Sequence, residues 1–136
     1  MDNTITLEIV SPYGVVFSGD VDEITATGSE GEFGVLPGHA PFLTTLRIGM
    51  LTCKRGSEYL IFFVSGGYAE VMPDKVAILA DSAERSEEID VERARAAMKR
   101  AEERLKQAEK IDFARATAAL QRATIRVQIA EKHQVK

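Results

Sequence analysis

The repeat of apolar residues changes its period near residue 90, and this change constrains the fold more than any other feature. Before it, Ile5, Leu7 and Ile9 alternate with polar residues, the period-2 pattern of a half-buried strand. Further short apolar runs follow at 15–17, 24–26, 43–46, 50–52, 59–64, 68–72 and 76–79. Turn residues separate them, as at Pro73-Asp74, where the proline presets its own φ. Many short strands with regular turns predict an all-β sandwich or barrel.

From Val91 onward the apolar residues are spaced alternately three and four apart, which predicts two amphipathic helices. The two series are Val91, Ala94, Met98, Ala101, Leu105 and Ala108, then Phe113, Ala116, Leu120, Ala123, Val127 and Ala130. Asp90 and Asp112 are the predicted N-caps, and a short connection at 109–111 predicts an antiparallel hairpin. Alanine occupies half of the positions in each of these two apolar series, which form the seam where the helices pack together. Because alanine buries little area, we expect the hairpin to be marginally stable and able to rearrange.

Charge divides the chain at the same place. Residues 1–90 carry a net charge of −10 and residues 91–136 carry +6, which sum to the overall −4. We therefore predict two domains, a β domain over residues 1–86 and a helical hairpin over residues 87–136. A basic hairpin of this kind suits an anionic partner or the acidic half of the same chain. The alternative is a solvated helical face that happens to be basic.

The sequence carries no recognisable catalytic, metal-binding or membrane-spanning motif. The glycines at 28, 31 and 34 lack the Gly-Lys-Ser/Thr of a phosphate-binding loop, and Ser65 lacks the preceding glycine of a nucleophile elbow. His39 has no nucleophile to activate and lies far from His133, so we predict neither catalysis nor a metal site. The single Cys53 fits a reducing cytoplasm. No apolar stretch is long enough to span a bilayer, and the polar N-terminus is unlike a signal peptide.

Three segments resemble the epsilon subunits of bacterial F-type ATP synthases. They are Gly31-Glu32-Phe33-Gly34-Val35-Leu36-Pro37-Gly38-His39-Ala40-Pro41, Val64-Ser65-Gly66-Gly67-Tyr68-Ala69-Glu70-Val71 and Ile78-Leu79-Ala80-Asp81-Ser82-Ala83-Glu84. The similarity covers essentially the whole chain, in order. It implies an N-terminal antiparallel β-sandwich followed by a C-terminal antiparallel two-helix hairpin, as the periodicity also indicates.

The resemblance implies a non-catalytic rotor subunit at the cytoplasmic face of the bacterial membrane, touching the membrane only through the complex. Its sandwich would dock on the gamma subunit and the ring of c subunits, with Gly38, His39 and Pro41 in a partner-contact loop. Its helices would swing between a folded hairpin and an extended arm. The arm would reach the alpha/beta catalytic hexamer and restrain ATP hydrolysis.

A further motif implies ATP as a regulatory ligand, with the role of Mg²⁺ left open. Residues 89–94 match the Ile-Asp-x-x-Arg-Ala pattern of epsilon subunits that bind ATP, which implies roles for Ile89, Asp90, Arg93 and Ala94. The resemblance adds Glu84 to this set.

Helical spacing adds three further arginines to the predicted site. Arg100 follows Arg93 by two turns, and Arg122 and Arg126 are four residues apart on the second helix. A hairpin turning at 109–111 would bring Arg93 level with Arg126 and Arg100 level with Arg122. Arginine's planar fork suits phosphate oxygens. The alternative is that Glu92, Glu102, Glu103 and Glu131 pair with these arginines at a wet surface.

The sequence leaves two other classes of function open. One is a free-standing nucleic-acid binder that uses the basic hairpin; the helices carry only Phe113 as a stacking aromatic, and the β domain is acidic. The other is an enzyme built on a β-sandwich, for which no site is visible.

Overall fold

The computed structural model describes the backbone of residues 4–107 and 110–133, and the side chains of residues 4–106 and 113–132. The chain divides into two compact units, Met1–Arg85 and Ser86–Lys136. The first unit is built from strands and the second from helices.

The described residues of the first unit form ten strands in two five-stranded sheets. The strands are β1 (Ile5–Ser11), β2 (Gly14–Val21), β3 (Glu23–Gly28), β4 (Gly31–Val35), β5 (Phe42–Thr45), β6 (Gly49–Arg55), β7 (Glu58–Ser65), β8 (Tyr68–Val71), β9 (Lys75–Leu79) and β10 (Ser82–Arg85). The first sheet has the order β2-β1-β9-β8-β5, and the second has the order β10-β7-β6-β3-β4. Strands β1 and β9 are parallel, whereas the other named pairs are antiparallel.

The core lies between the inner faces of these two sheets. Ile5, Leu7 and Ile9 of β1 are fully buried, as their alternation with polar residues predicts. Phe17 of β2 meets Phe62 of β7 edge to face, with 5.5 Å between ring centroids. The interleaved side chains of both sheets make this unit a β-sandwich, which confirms the predicted fold class.

Two strands, β4 and β10, lie outside the predicted apolar runs, and β4 shows why. Strand β4 has the sequence Gly-Glu-Phe-Gly-Val, in which the apolar residues are only Phe33 and Val35. Val35 is buried and pairs with Ile24 of β3. Because the two glycines weaken the alternating pattern, the apolar pattern alone does not reveal this strand.

The second unit contains a 3₁₀ helix (Ser86–Glu88), α1 (Val91–Gln107) and α2 (Lys110–His133). The predicted helical hairpin is confirmed, but one of its predicted ends is wrong. Because α2 begins at Lys110, Asp112 lies inside the helix rather than at its N-cap.

Alanine occupies much of the buried seam between α1 and α2. Ala94 and Ala101 of α1 and Ala116, Ala123 and Ala130 of α2 are all buried. Two predictions about this seam need correction: Phe113 is 56% exposed, and Ile129, outside the predicted series, is buried. The spacing of apolar residues identifies one face of a helix. The burial of each residue on that face depends on which side chains pack against it. Ala108 lies outside the described residues.

Candidate functional site

The segment that opens α1 combines two buried apolar residues with an exposed cap. Ile89 and Ala94 are buried, and Asp90 is exposed. The Arg93 N–H donates to Asp90 Oδ1 at 3.0 Å, and the Ala94 N–H donates to the Asp90 carbonyl at 2.9 Å. Asp90 is therefore the N-cap of α1, as the sequence predicts.

Four arginines line one groove between α1 and α2. Arg100 and Arg104 come from α1, and Arg122 and Arg126 come from α2. The groove has a volume of about 200 Å³, and the alanines at 97, 101, 119 and 123 complete its described lining. Alanine keeps the groove open because its side chain fills little space. No carboxylate belongs to this lining, so its charged groups all carry the same sign.

The structure brings together three of the four predicted arginines and adds one that the sequence reasoning missed. Arg100, Arg122 and Arg126 line the groove, whereas Arg104 takes part in place of Arg93. Arg104 follows Arg100 by four residues, and that spacing could have identified it. Arg93 is exposed in the first turn of α1, and Glu84 lies on β10 in the other unit.

Acidic residues of the hairpin do pair with an arginine, but with one outside the groove. Arg95 Nη1 donates to Glu92 Oε2 at 3.1 Å, and Arg95 Nε donates to Glu131 Oε2 at 3.0 Å. Arg95 Nη2 also donates to Glu131. Hydrogen bonding to Glu131 raises the pKa of the Arg95 guanidinium above its usual value, so this side chain stays charged. The expected acidic partners Glu92 and Glu131 thus meet Arg95.

The loop containing Gly38, His39 and Pro41 is held in place by its own backbone and by the β8–β9 turn. The Gly38 N–H donates to the Pro73 carbonyl at 2.8 Å, and Gly38 adopts a φ of 81°. The His39 ring lies 5.3 Å from the Phe42 ring, and its Nδ1 donates to the Ala40 carbonyl at 2.8 Å. His39 is therefore a packed loop residue, while Gly38 and Pro41 are exposed.

An apolar row crosses the outer face of the first sheet, and single-strand patterns did not reveal it. Val15 pairs with Val10, Val10 with Leu79, and Leu79 with Tyr68. Val15 is 64% exposed and Tyr68 is 46% exposed. We call these four residues the apolar row. Strand register places them side by side, whereas in the sequence they are far apart.

Comparisons with known proteins agree with this fold and with each other. The family model of the ATP synthase delta/epsilon chain β-sandwich domain matches residues 4–86, and that of the long α-helix domain matches residues 87–131. The chain belongs to the delta/epsilon chain family of ATP synthases.

Named relatives of this family support the assignment. The ATP synthase epsilon chain of Thermodesulfovibrio yellowstonii is 54% identical over 79% of this chain and 76% of its own length. That of Geobacter metallireducens is 55% identical over 78% of this chain and 77% of its own length. A chain in the Euglena gracilis mitochondrial ATP synthase (OSCP/F1/c-ring, rotational state 1) has a TM-score of 0.83 at 26% identity, covering 98% of this chain and 84% of that one.

Family membership settles the broad function classes. It confirms the predicted resemblance to bacterial epsilon subunits and the prediction of a non-catalytic subunit of ATP synthase. The comparisons give no support to the free-standing nucleic-acid binder.

In this delta/epsilon chain, the Ser65-Gly66-Gly67 segment is explained by close backbone packing. Gly67 has a φ of 92°, and a Cβ there would lie 1.9 Å from the Leu79 carbonyl oxygen. Ser65 is buried at the end of β7, where its carbonyl accepts the Asp81 N–H. The segment thus joins two strand ends.

Two further features concern metal binding and membrane spanning. Among residues 4–107 and 110–133, no group of three or more His, Cys, Asp or Glu side chains could hold a metal ion. Neither of the described α-helices is long and apolar enough to cross a membrane.

Proposed function

We propose that this chain is a regulatory subunit of the ATP synthase central stalk, whose helical hairpin binds ATP and restrains ATP hydrolysis. The arginine groove is the observation that carries this proposal. Four guanidinium groups line one groove, where they form a cationic site. A polyphosphate would offset their mutual repulsion and accept several charge-assisted hydrogen bonds.

The size of the groove suits part of a nucleotide. Pockets that enclose drug-sized ligands are about 300–1,000 Å³, whereas this groove is about 200 Å³. We therefore assign the groove to the phosphates, contacted by Arg100, Arg104, Arg122 and Arg126. Ile89, Asp90, Arg93, Ala94 and Glu84 are proposed by resemblance to contact the nucleotide or to support the site.

The weak seam explains how a ligand could control the hairpin. Alanine side chains give little contact area, so the free-energy difference between the closed and the open hairpin is expected to be small. ATP that binds both helices at once stabilises only the closed hairpin. A ligand specific for one state stabilises it by about 2.7 kcal/mol at a hundredfold excess over Kd. High ATP would therefore keep the hairpin folded, and low ATP would release it to contact the alpha/beta hexamer.

The sandwich offers two surfaces for docking. The apolar row exposes valine, leucine and tyrosine side chains across four strands, and such exposed apolar surface is typical of protein contacts. The loop of Gly38, His39 and Pro41 lies toward the other end of β8. We propose that these surfaces contact the gamma subunit and the ring of c subunits. The chain would then be peripheral, at the cytoplasmic face of the bacterial membrane.

Calorimetric titration of the full chain with MgATP and with metal-free ATP tests the site and its metal dependence. Each of Arg100→Ala, Arg122→Ala and Arg126→Ala should weaken binding by about 1.5–3 kcal/mol, the range for hydrogen bonds to charged groups. Arg47→Ala is the control because Arg47 lies in the sandwich, where it donates to the Ser29 carbonyl. Binding that is unchanged in the three groove variants, or absent from the parent, would refute nucleotide binding in the groove.

Arg93→Ala separates the two sources of the assignment. If the groove arginines alone hold the phosphates, this substitution leaves the affinity close to that of the parent. A loss as large as that of Arg122→Ala would instead support the motif-based role of Arg93.

A further inference from the structure

The ion pairs of Arg95 lie at the end of the hairpin that the chain itself does not close. The chain runs directly from the end of α1 at Gln107 toward the start of α2 at Lys110, so the two helices are covalently connected at that end. At the other end, the start of α1 and the last turn of α2 have no covalent link. We call this the open end of the hairpin. Arg95 and Glu131 bridge it, although they are 36 residues apart in the sequence.

The guanidinium of Arg95 is held by two carboxylates. Its Nε and Nη2 groups donate to Glu131 Oε2 on α2, and its Nη1 group donates to Glu92 Oε2, one turn earlier on α1. Glu92 therefore orients the fork of Arg95 toward the second helix. Ala94 precedes Arg95 in the sequence, and Ala130 precedes Glu131. Both alanines are buried in the seam, so the two helices are close at this level.

The position of Glu131 is unfavourable for α2 considered alone. Glu131 lies in the last turn of α2, where the helix dipole favours a cation rather than a carboxylate. The antiparallel partner helix supplies the missing positive charge through Arg95. The arrangement thus favours the closed hairpin over any state in which α2 leaves α1.

We propose that Arg95 and Glu131 form an ionic latch that closes the open end of the hairpin, with Glu92 positioning the Arg95 guanidinium. The latch is separate from the arginine groove, because neither Arg95 nor Glu131 belongs to the groove lining. It acts without nucleotide. Because both side chains are about half exposed, dissolved salt screens the pair and weakens it.

Distance measurements on the full chain without nucleotide test the latch. In a Cys53→Ala background, spin labels at Ala96→Cys and Gln128→Cys, both exposed positions near the open end, report whether the helices are together. Arg95→Glu and Glu131→Arg should each lower the closed-to-open ratio about two- to fivefold, as expected for exposed ion pairs. The double exchange, Arg95→Glu with Glu131→Arg, should restore much of the closed population.

Salt and matched variants complete the test. Raising the NaCl concentration should open the parent and the double exchange but have less effect on either single variant. Arg115→Glu and Glu102→Arg make the same charge changes at exposed positions and should leave the distances unchanged. Glu131→Gln, which keeps the side-chain size, should shift the closed-to-open ratio in the same direction. It takes the place of the charge reversals if those variants do not fold.

The latch is refuted if both reversals and Glu131→Gln leave the distance distribution unchanged, or if the double exchange opens the hairpin as far as the single variants. These outcomes do not depend on ATP. A failed latch therefore leaves the calorimetric test of the groove intact, and a failed groove leaves the latch intact.

Discussion

Burial controls the chemistry of Cys53, which lies on β6 inside the sandwich core. Removal from water raises the pKa of its thiol to about 11, although the nearby Arg55 and Arg85 guanidiniums oppose this shift. The thiol is therefore protonated at neutral pH. Since the thiolate is the reactive form, Cys53 should behave as a small apolar core residue.

The unfolding free energy should fall as pH rises from about 9 to about 11, through ionisation of Cys53. In that range the unfolded thiol, with a pKa of 9.0, loses its proton while the folded thiol, with a pKa of about 11, retains it. Ionisation therefore stabilises the unfolded state. Denaturant titrations across this range should show a shallower fall for Cys53→Ala than for the parent. Equal slopes would contradict the raised pKa.

Gly67 is expected to tolerate no side chain. Gly67→Ala combines a left-handed φ of 92° with a contact of 1.9 Å to the Leu79 carbonyl oxygen. Gly38→Ala is the matched control, because its φ is 81° but a Cβ there meets nothing within 4 Å. Thermal melts should show a loss of about 1–2 kcal/mol for Gly38→Ala from backbone strain alone. The loss for Gly67→Ala should be clearly larger, and equal losses would show that strain rather than packing decides.

The hairpin shows which features of an element its sequence determines. Periodicity predicted both helices, and Asp90 was correctly predicted as a cap because its effect is local. The register of α1 against α2 could not be predicted from such local signals. Whether Arg93 or Arg104 lines the groove depends on how far one helix slides past the other, which spacing within a helix does not determine. Strand β4 was missed for a related reason, since its pairing with β3 outweighs its weak local pattern.

Removing the cap of α1 should destabilise the hairpin selectively. Asp90→Ala removes the hydrogen bond from the Arg93 N–H and should cost about 1 kcal/mol. Hydrogen exchange should therefore speed up in the first turns of α1 while the core strands of the sandwich are unaffected. Asp90→Asn, which retains a capping oxygen, is the control. Equal exchange in Asp90→Ala and the parent would show that the cap is dispensable.

At the scale of the whole molecule, the apolar core of the sandwich is complete within the first unit. The cluster between the two sheets draws its buried members from β1–β4, β6–β9 and the segments that join strands, and none of its described members comes from α1 or α2. The helices contribute their own buried seam. Two units with separate cores are expected to fold separately.

A chain ending at Ser86 should therefore remain a folded β domain. Far-UV circular dichroism should show a β spectrum, and thermal unfolding should be a single cooperative transition. A disordered spectrum without a cooperative transition would show that the sandwich requires the helical unit.

The proposed regulatory role is tested most directly by ATP hydrolysis in a reconstituted synthase. The measurement compares the full chain with one lacking residues 88–136, over a range of ATP concentrations. The deletion should raise hydrolysis, most strongly at low ATP, where the hairpin is expected to be released, while the sandwich keeps the subunit bound. If the two complexes hydrolyse ATP equally at every concentration, with the truncated subunit still bound, the hairpin does not restrain the enzyme.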